Sequence, residues 1–232
     1  MIKLVICLAL TVIISYLLGS CNSAIIVVRL LKHEDIREHG SKNAGLTNTL
    51  RCFGKIPALL TLIGDLGKGI VAALLSILVF RLVIGADVFS APPEWYPSVI
   101  DEQSVGYISG FFSIIGHIFP IYYGFKGGKG ILVSCSILLV IDPLTFIIII
   151  PFFALMVFIT RYVSVSSISA AVVYPILTFV LHYFVEDVPL NTCITHVILV
   201  ACTSVVLIYM HRANIKRLIE GTENKFGAKK KN

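Results

Sequence analysis

Seven apolar stretches occupy most of this chain: Lys3 to Leu31, Ile56 to Ile84, Val105 to Tyr123, Gly130 to Ile141, Leu144 to Thr160, Val163 to Phe184 and Thr192 to Met210. The hydrocarbon core of a bilayer is about 30 Å thick, so a helix rising 1.5 Å per residue crosses it in roughly 17–25 apolar residues. Six stretches reach that length, whereas the fourth, about a dozen residues, has the length of an interfacial or partly crossing segment. With 57% of its 232 residues apolar and 14% charged, the chain carries more apolar surface than a water-soluble domain could hide. The expectation is an all-α integral membrane protein: a seven-transmembrane-helix bundle forming a single polytopic membrane domain over residues 1–232, with the cytoplasmic tail 211–232 as part of it. The first stretch lacks a small-residue cleavage pattern and is read as a retained span.

Short cytoplasmic loops retain positive charge, so lysine and arginine set the orientation. Of the 19 basic residues, all but Lys3, Arg29, Lys68 and Arg81 fall in the segment 32–55, the third loop, Arg161 of the fifth loop and the tail. The second, fourth and sixth loops hold only acids, among them Asp87, Glu94, Asp142, Glu186 and Asp187. This alternation predicts the N-terminus outside and the C-terminus in the cytoplasm. It also accounts for the net charge of +6 without nucleic acid, for which no reading head is present. Lys229 to Lys231 are expected on anionic headgroups. The six cysteines are scattered singly, so no metal site and no disulfide framework is expected.

Three polar segments fall on the cytoplasmic side. The first loop gathers Ser41, Asn43, Thr47, Asn48 and Arg51 around two glycines. Hydroxyls, amides and one guanidinium fork suit a cluster of anionic oxygens, although Ser41 or Asn43 could also serve as a helix cap. The third loop, Gly116-His-Ile-Phe-Pro-Ile-Tyr-Tyr-Gly-Phe-Lys-Gly-Gly-Lys-Gly130, sets glycines around two lysines directly ahead of a helix. Such a loop lets backbone approach a phosphate where the helix start adds partial positive charge. It is not the nucleotide P-loop, whose spacing and magnesium-binding hydroxyl it lacks. In the third segment His211 and Asn214 share a helix face just outside the last span, and a histidine there could orient or deprotonate a hydroxyl. Inside the second span, Asp65 and Lys68 stand three apart and are expected to pair, because an unpaired charge there is costly.

Taken in order, Gly19-Ser20, the run Asp35 to Arg51, Asp65-Leu-Gly-Lys-Gly69, Gly116-His-Ile-Phe-Pro120 with Phe125-Lys-Gly-Gly-Lys-Gly130, Arg161-Tyr-Val-Ser164 and His211 to Glu223 resemble the bacterial membrane acyl-phosphate:glycerol-3-phosphate acyltransferases, the PlsY family. The resemblance implies a multi-pass protein of the bacterial inner (plasma) membrane with its active site facing the cytoplasm. It implies transfer of a fatty acyl group from acyl phosphate to the 1-hydroxyl of glycerol 3-phosphate, giving lysophosphatidic acid with no cofactor, no metal and no acyl-CoA. Acyl phosphate, glycerol 3-phosphate and membrane lipid are then the partners. Ser41 and Arg51 match the family's first motif, Gly127, Gly128, Lys129 and Gly130 its phosphate loop, and His211, Asn214 and Glu223 its third motif, with Glu223 structural. Ser41, Arg51, Lys129, His211 and Asn214 are thus the expected catalytic set. Asn43, Asn48 and Ser164 extend the phosphate-binding set, and Asp65 and Lys68 stand near the site as structural residues. Two positions depart from the family pattern: Lys42 stands where glycine is usual, and Asn22 falls where Gly-Ser-Ile-Pro is common, a change read as local helix packing.

Two rival activities use some of the same features. An organophosphate transporter would need similar loops, but it should place polar groups near the bilayer midplane and often shows inverted repeats. A CoA-dependent acyltransferase would need an H-x-x-x-x-D pair; His182 to Asp187 fits the spacing but falls on the outer face by the charge rule, away from cytosolic CoA.

Overall fold

The computed structural model describes residues 1–227, and among these there are helices and no strands. Lys229 to Lys231 lie outside the described residues. The chain divides into two compact units, Met1–Asp142 and Pro143–Asn232.

In the first unit the opening apolar stretch is two helices, α1 (Ile2–Ser20) and α2 (Ser23–Lys32), where the sequence reads as one span. The break is made by Asn22, whose side-chain oxygen accepts from the Ile25 N–H at 3.1 Å and caps α2. His33, at φ 57°, ends α2 in the left-handed region. A short helix in the first loop, α3 (Leu46–Phe53), leads into α4 (Lys55–Val83). The face of α4 carrying Ala58, Thr61, Asp65, Lys68, Ala72, Ser76 and Phe80 is buried, at helical three- and four-residue spacing, and α4 packs on α1, α2 and α3 as well as on the two helices that follow.

Those are α5 (Glu102–Ile118) and α6 (Ile131–Ile141). In lipid there is no hydrophobic drive between helices, so close approach depends on small residues. A Cβ at Gly19 of α1 would collide with the Ser113 carbonyl, and one at Gly116 with the Tyr16 carbonyl. Ser15 joins the same seam through hydrogen bonds to Ser109 (2.8 Å) and Ser76 (3.3 Å). Gly106 and Gly110 receive Ile141 and Ile137 of α6.

The second unit is a run of α7 (Pro143–Thr160), α8 (Val163–Phe184), α9 (Leu190–Met210) and the short α10 (Arg212–Ile219). On α7 only Thr145 and Ile149 are buried, which leaves an apolar surface suited to lipid. Among the described residues six helical segments are long and apolar enough to cross a membrane, the first being α1 and α2 together; α6 is helical but shorter. The protein is a multi-pass membrane protein.

Candidate active site

In the first unit the first and third loops share a platform. Ala24, Ile25 and Val28 of α2 form a small core with Ile36 and Ala44 of the first loop, and Phe53 and Tyr123 pack against it. Asp35 accepts from Arg37 at two oxygens (2.9 and 2.8 Å) and from Arg29 (2.8 Å), and the Arg37 guanidinium holds its carboxyl well below the usual carboxylate range. Arg37 then reaches the third loop, donating to the carbonyls of Tyr123 (2.6 Å) and Lys126 (3.3 Å). The sequence does not single out Arg37, because its role depends on carbonyls 86 and 89 positions away.

Within the first loop Asn48 is buried, and its amide is engaged with the loop's own backbone. It donates to His39 O (2.9 Å) and Asn43 O (3.1 Å) and accepts from Ser41 N (3.0 Å), so in this arrangement Asn48 shapes the segment that carries Ser41. Neither Ser41 nor Asn43 caps a helix; the N-cap of α3 is Gly45. Ser41 and Arg51 are exposed, Asn43 half-buried. Lys42 has φ 59°, the left-handed conformation, which explains why glycine suits that position.

The third loop doubles back on the end of α5. Gly127 N–H donates to Ile118 O (3.0 Å) and Gly128 N–H to His117 O (3.1 Å), so these two N–H groups are engaged by backbone and the glycines contribute space. A Cβ on Gly128 would strike both the His117 imidazole and the Ala44 carbonyl. Ala44 is in turn held by Asn22, whose Nδ2 donates to its carbonyl at 3.3 Å, so Asn22 joins the helix break to the first loop as well as capping α2. Lys129 follows, half-buried, and Gly130 at φ 86° is the N-cap of α6.

Behind the loop the expected Asp65–Lys68 pair is present at 2.9 Å. It has a third member: Lys68 Nζ also meets His117 Nδ1 at 2.8 Å and the Cys21 carbonyl at 3.2 Å.

In the second unit Glu223 gathers two expected residues, Ser164 and Asn214, into one knot with Arg217, which the sequence does not single out. Its carboxylate accepts from Ser164 Oγ (2.9 Å), Asn214 Nδ2 (2.7 Å) and Arg217 Nε (2.6 Å), linking the start of α8, α10 and the chain beyond it. Burial alone would raise this carboxyl, but the hydrogen bonds from Asn214, Arg217 and Ser164 outweigh it and hold it below its ordinary value. His211 is buried at the junction of α9 and α10, and its Nδ1 lies 2.8 Å from the Leu207 carbonyl. A carbonyl only accepts, so Nδ1 carries a proton; in the neutral tautomer of such a ring the basic lone pair belongs to Nε2.

Residues 9–221 match the family model described as glycerol-3-phosphate acyltransferase. Glycerol-3-phosphate acyltransferase of Chlorobaculum tepidum is 37% identical over 95% of this chain and 97% of its own length; that of Chlorobium luteolum is 35% identical over 91% and 93%. Among solved structures, PlsY, an integral membrane glycerol 3-phosphate acyltransferase, is similar in its glycerol 3-phosphate form (TM-score 0.73, 30% identity, 95% of this chain and 96% of that one). Its lysophosphatidic acid form is similar at a TM-score of 0.71 and 29% identity, over 95% of each chain. The motif segments, the helical architecture and these likenesses agree, and the chain belongs to the PlsY family of membrane glycerol-3-phosphate acyltransferases.

Proposed function

We propose that this protein transfers a fatty acyl group from acyl phosphate to the 1-hydroxyl of glycerol 3-phosphate, releasing phosphate and forming lysophosphatidic acid. The observation that carries the reading is the third loop: Lys129 stands directly before the glycine-capped start of α6, in a loop fixed by Arg37 on one side and by His117 on the other. A lysine carried by a fixed loop at a helix start favours a phosphate. The segregation of basic residues supports seven crossings with α6 counted among them, the N-terminus outside, and a site facing the cytoplasm of a bacterial inner membrane.

Acyl phosphate is a mixed anhydride, so the glycerol oxygen attacks its acyl carbon directly: the new C–O bond forms, the acyl–phosphate bond breaks, and inorganic phosphate departs. The proton goes to His211 Nε2 or to a substrate phosphate oxygen, routes that the pH profile of His211→Ala separates. Arg51 and Lys129 bind phosphate, with Gly127, Gly128 and Gly130 giving the loop its close fit. Ser41 and Asn43 hydrogen-bond substrate oxygens, Asn48 supports Ser41, Ser164 with its hydroxyl donated to Glu223 holds that carboxylate beside Asn214, and Asn214 with His211 positions the glycerol. The acyl chain lies among helices in membrane lipid. Holding two phosphates in register is the larger part of the catalysis, a gain of up to about 7–11 kcal/mol in favourable cases.

The test is purified protein in detergent with labelled glycerol 3-phosphate, offered palmitoyl phosphate and palmitoyl-CoA in parallel. Turnover with palmitoyl phosphate is expected. Turnover with the CoA thioester alone would remove the donor assignment.

A further inference from the structure

Three ionisable side chains meet inside the apolar helices of the first unit, with side-chain exposures of 1% for Asp65, 6% for Lys68 and 4% for His117. Ionisable groups at such positions are expensive, and a seam that only needed filling could be filled by apolar side chains. What the cluster touches gives it a second use. Lys68 Nζ, bonded to Asp65, donates to His117 Nδ1 and to the Cys21 carbonyl at the break between α1 and α2. His117 therefore presents its other ring edge, Nε2, to Gly128, while its own carbonyl receives the Gly128 N–H. Gly128 is thus enclosed between an imidazole held by Lys68 and the Ala44 carbonyl held by Asn22. Lys129 is the next residue.

We propose that Asp65, Lys68 and His117 are positioning residues for the phosphate loop, fixing Gly128 and through it the place of Lys129. The idea rests on the reading that Lys129 binds a substrate phosphate. It assigns His117 a function beyond its place in a motif, and turns the Asp65–Lys68 pair from a structural brace into part of substrate recognition.

The experiment uses full-length enzyme purified in detergent, with KM for both substrates and kcat measured for Lys68→Met, Lys129→Gln and the double variant. Lys68→Met is expected to raise the same KM that Lys129→Gln raises, by about tenfold, with kcat within about threefold of the parent. In the double variant the two effects should not multiply, because each acts through the placement of one ammonium group. Native KM values in Lys68→Met, or effects that multiply fully, would overturn the proposal. Native KM values in Lys129→Gln would instead remove the phosphate assignment, and the proposal with it. If Lys68→Met does not fold, His117→Asn carries the same test: its side-chain oxygen still accepts from Lys68, but the place beside Gly128 is emptied, and the same KM should rise.

Discussion

The Asp65–Lys68–His117 cluster of the first unit and the His182–His196 pair of the second are alike in burial and differ in what they abut. Both histidines of the pair are fully buried, their Nδ1 atoms lie 2.9 Å apart so that one ring donates and the other accepts, and His182 Nε2 lies 3.5 Å from Glu186. The pair ties α8 to α9 at the far end of α8 from Ser164, about 27 Å along the helix at 1.5 Å per residue. The ionic cluster instead lies against Gly128, one residue from Lys129. Burial of a polar group is therefore a poor guide to its use; the segment it presses on is the better one.

The largest effect should come from breaking the ionic cluster. Asp65→Leu leaves the buried Lys68 ammonium without its carboxylate, and removing one partner of a buried pair costs about 3–5 kcal/mol. The melting temperature of the detergent-solubilised protein should fall by at least about 6 °C. A variant that melts with the parent would mean the three groups are not paired in the folded protein.

Next is Glu223, the ionic centre of the second unit. Glu223→Gln weakens three hydrogen bonds, two from neutral donors and one from Arg217, and should lower the melting temperature by about 3–6 °C. The pH dependence has a definite sign. Because the folded carboxyl lies below its ordinary 4.5, its contribution is present in full at neutral pH and is lost as the pH falls below 4.5 through the depressed folded value. The gap between parent and variant should therefore narrow on acidification in that range. A gap that stays constant down to pH 3 would show that the charge of Glu223 is not what holds α8 to α10.

Smaller again is the histidine pair. His182→Phe removes the hydrogen bond to His196 between helices, worth about 1–2 kcal/mol, and kcat and both KM values should stay within about threefold of the parent. Loss of turnover would revive the H-x-x-x-x-D reading and erase the contrast drawn between the two clusters.

How much of this was legible in the sequence follows from the range of each interaction. The long apolar helices were readable because their signal is local and continuous. The break at Cys21–Asn22 was not, since a single asparagine interrupts an otherwise apolar run and its partners, Ile25 N and Ala44 O, are seen only in three dimensions. Asp65 and Lys68 announce themselves by three-residue spacing, but His117 is 49 positions from Lys68. The helix Leu46–Phe53 was hidden among glycines and asparagines that read as loop. Glu223 was expected to be structural from resemblance alone; Ser164, 59 positions away, supplies a physical reason.

The mildest change tests the loop that the ionic cluster does not reach. Lys42 occupies the left-handed region at φ 59°, where a Cβ costs about 1–2 kcal/mol and glycine costs nothing, and its position is one the family pattern gives to glycine. Relieving that strain favours Lys42→Gly in the folded state, while the added freedom of the unfolded chain opposes it by about 0.4–1 kcal/mol. The difference leaves about 0–1.6 kcal/mol in favour of glycine, so the melting temperature should rise by no more than about 6 °C. Lys42 is exposed and adjoins Ser41, whose N–H is fixed by Asn48 whatever follows it, so kcat should stay within about twofold. A large rise in KM would show that the Lys42 ammonium itself meets a substrate anion, and the first loop would then hold a cation that the family pattern does not contain.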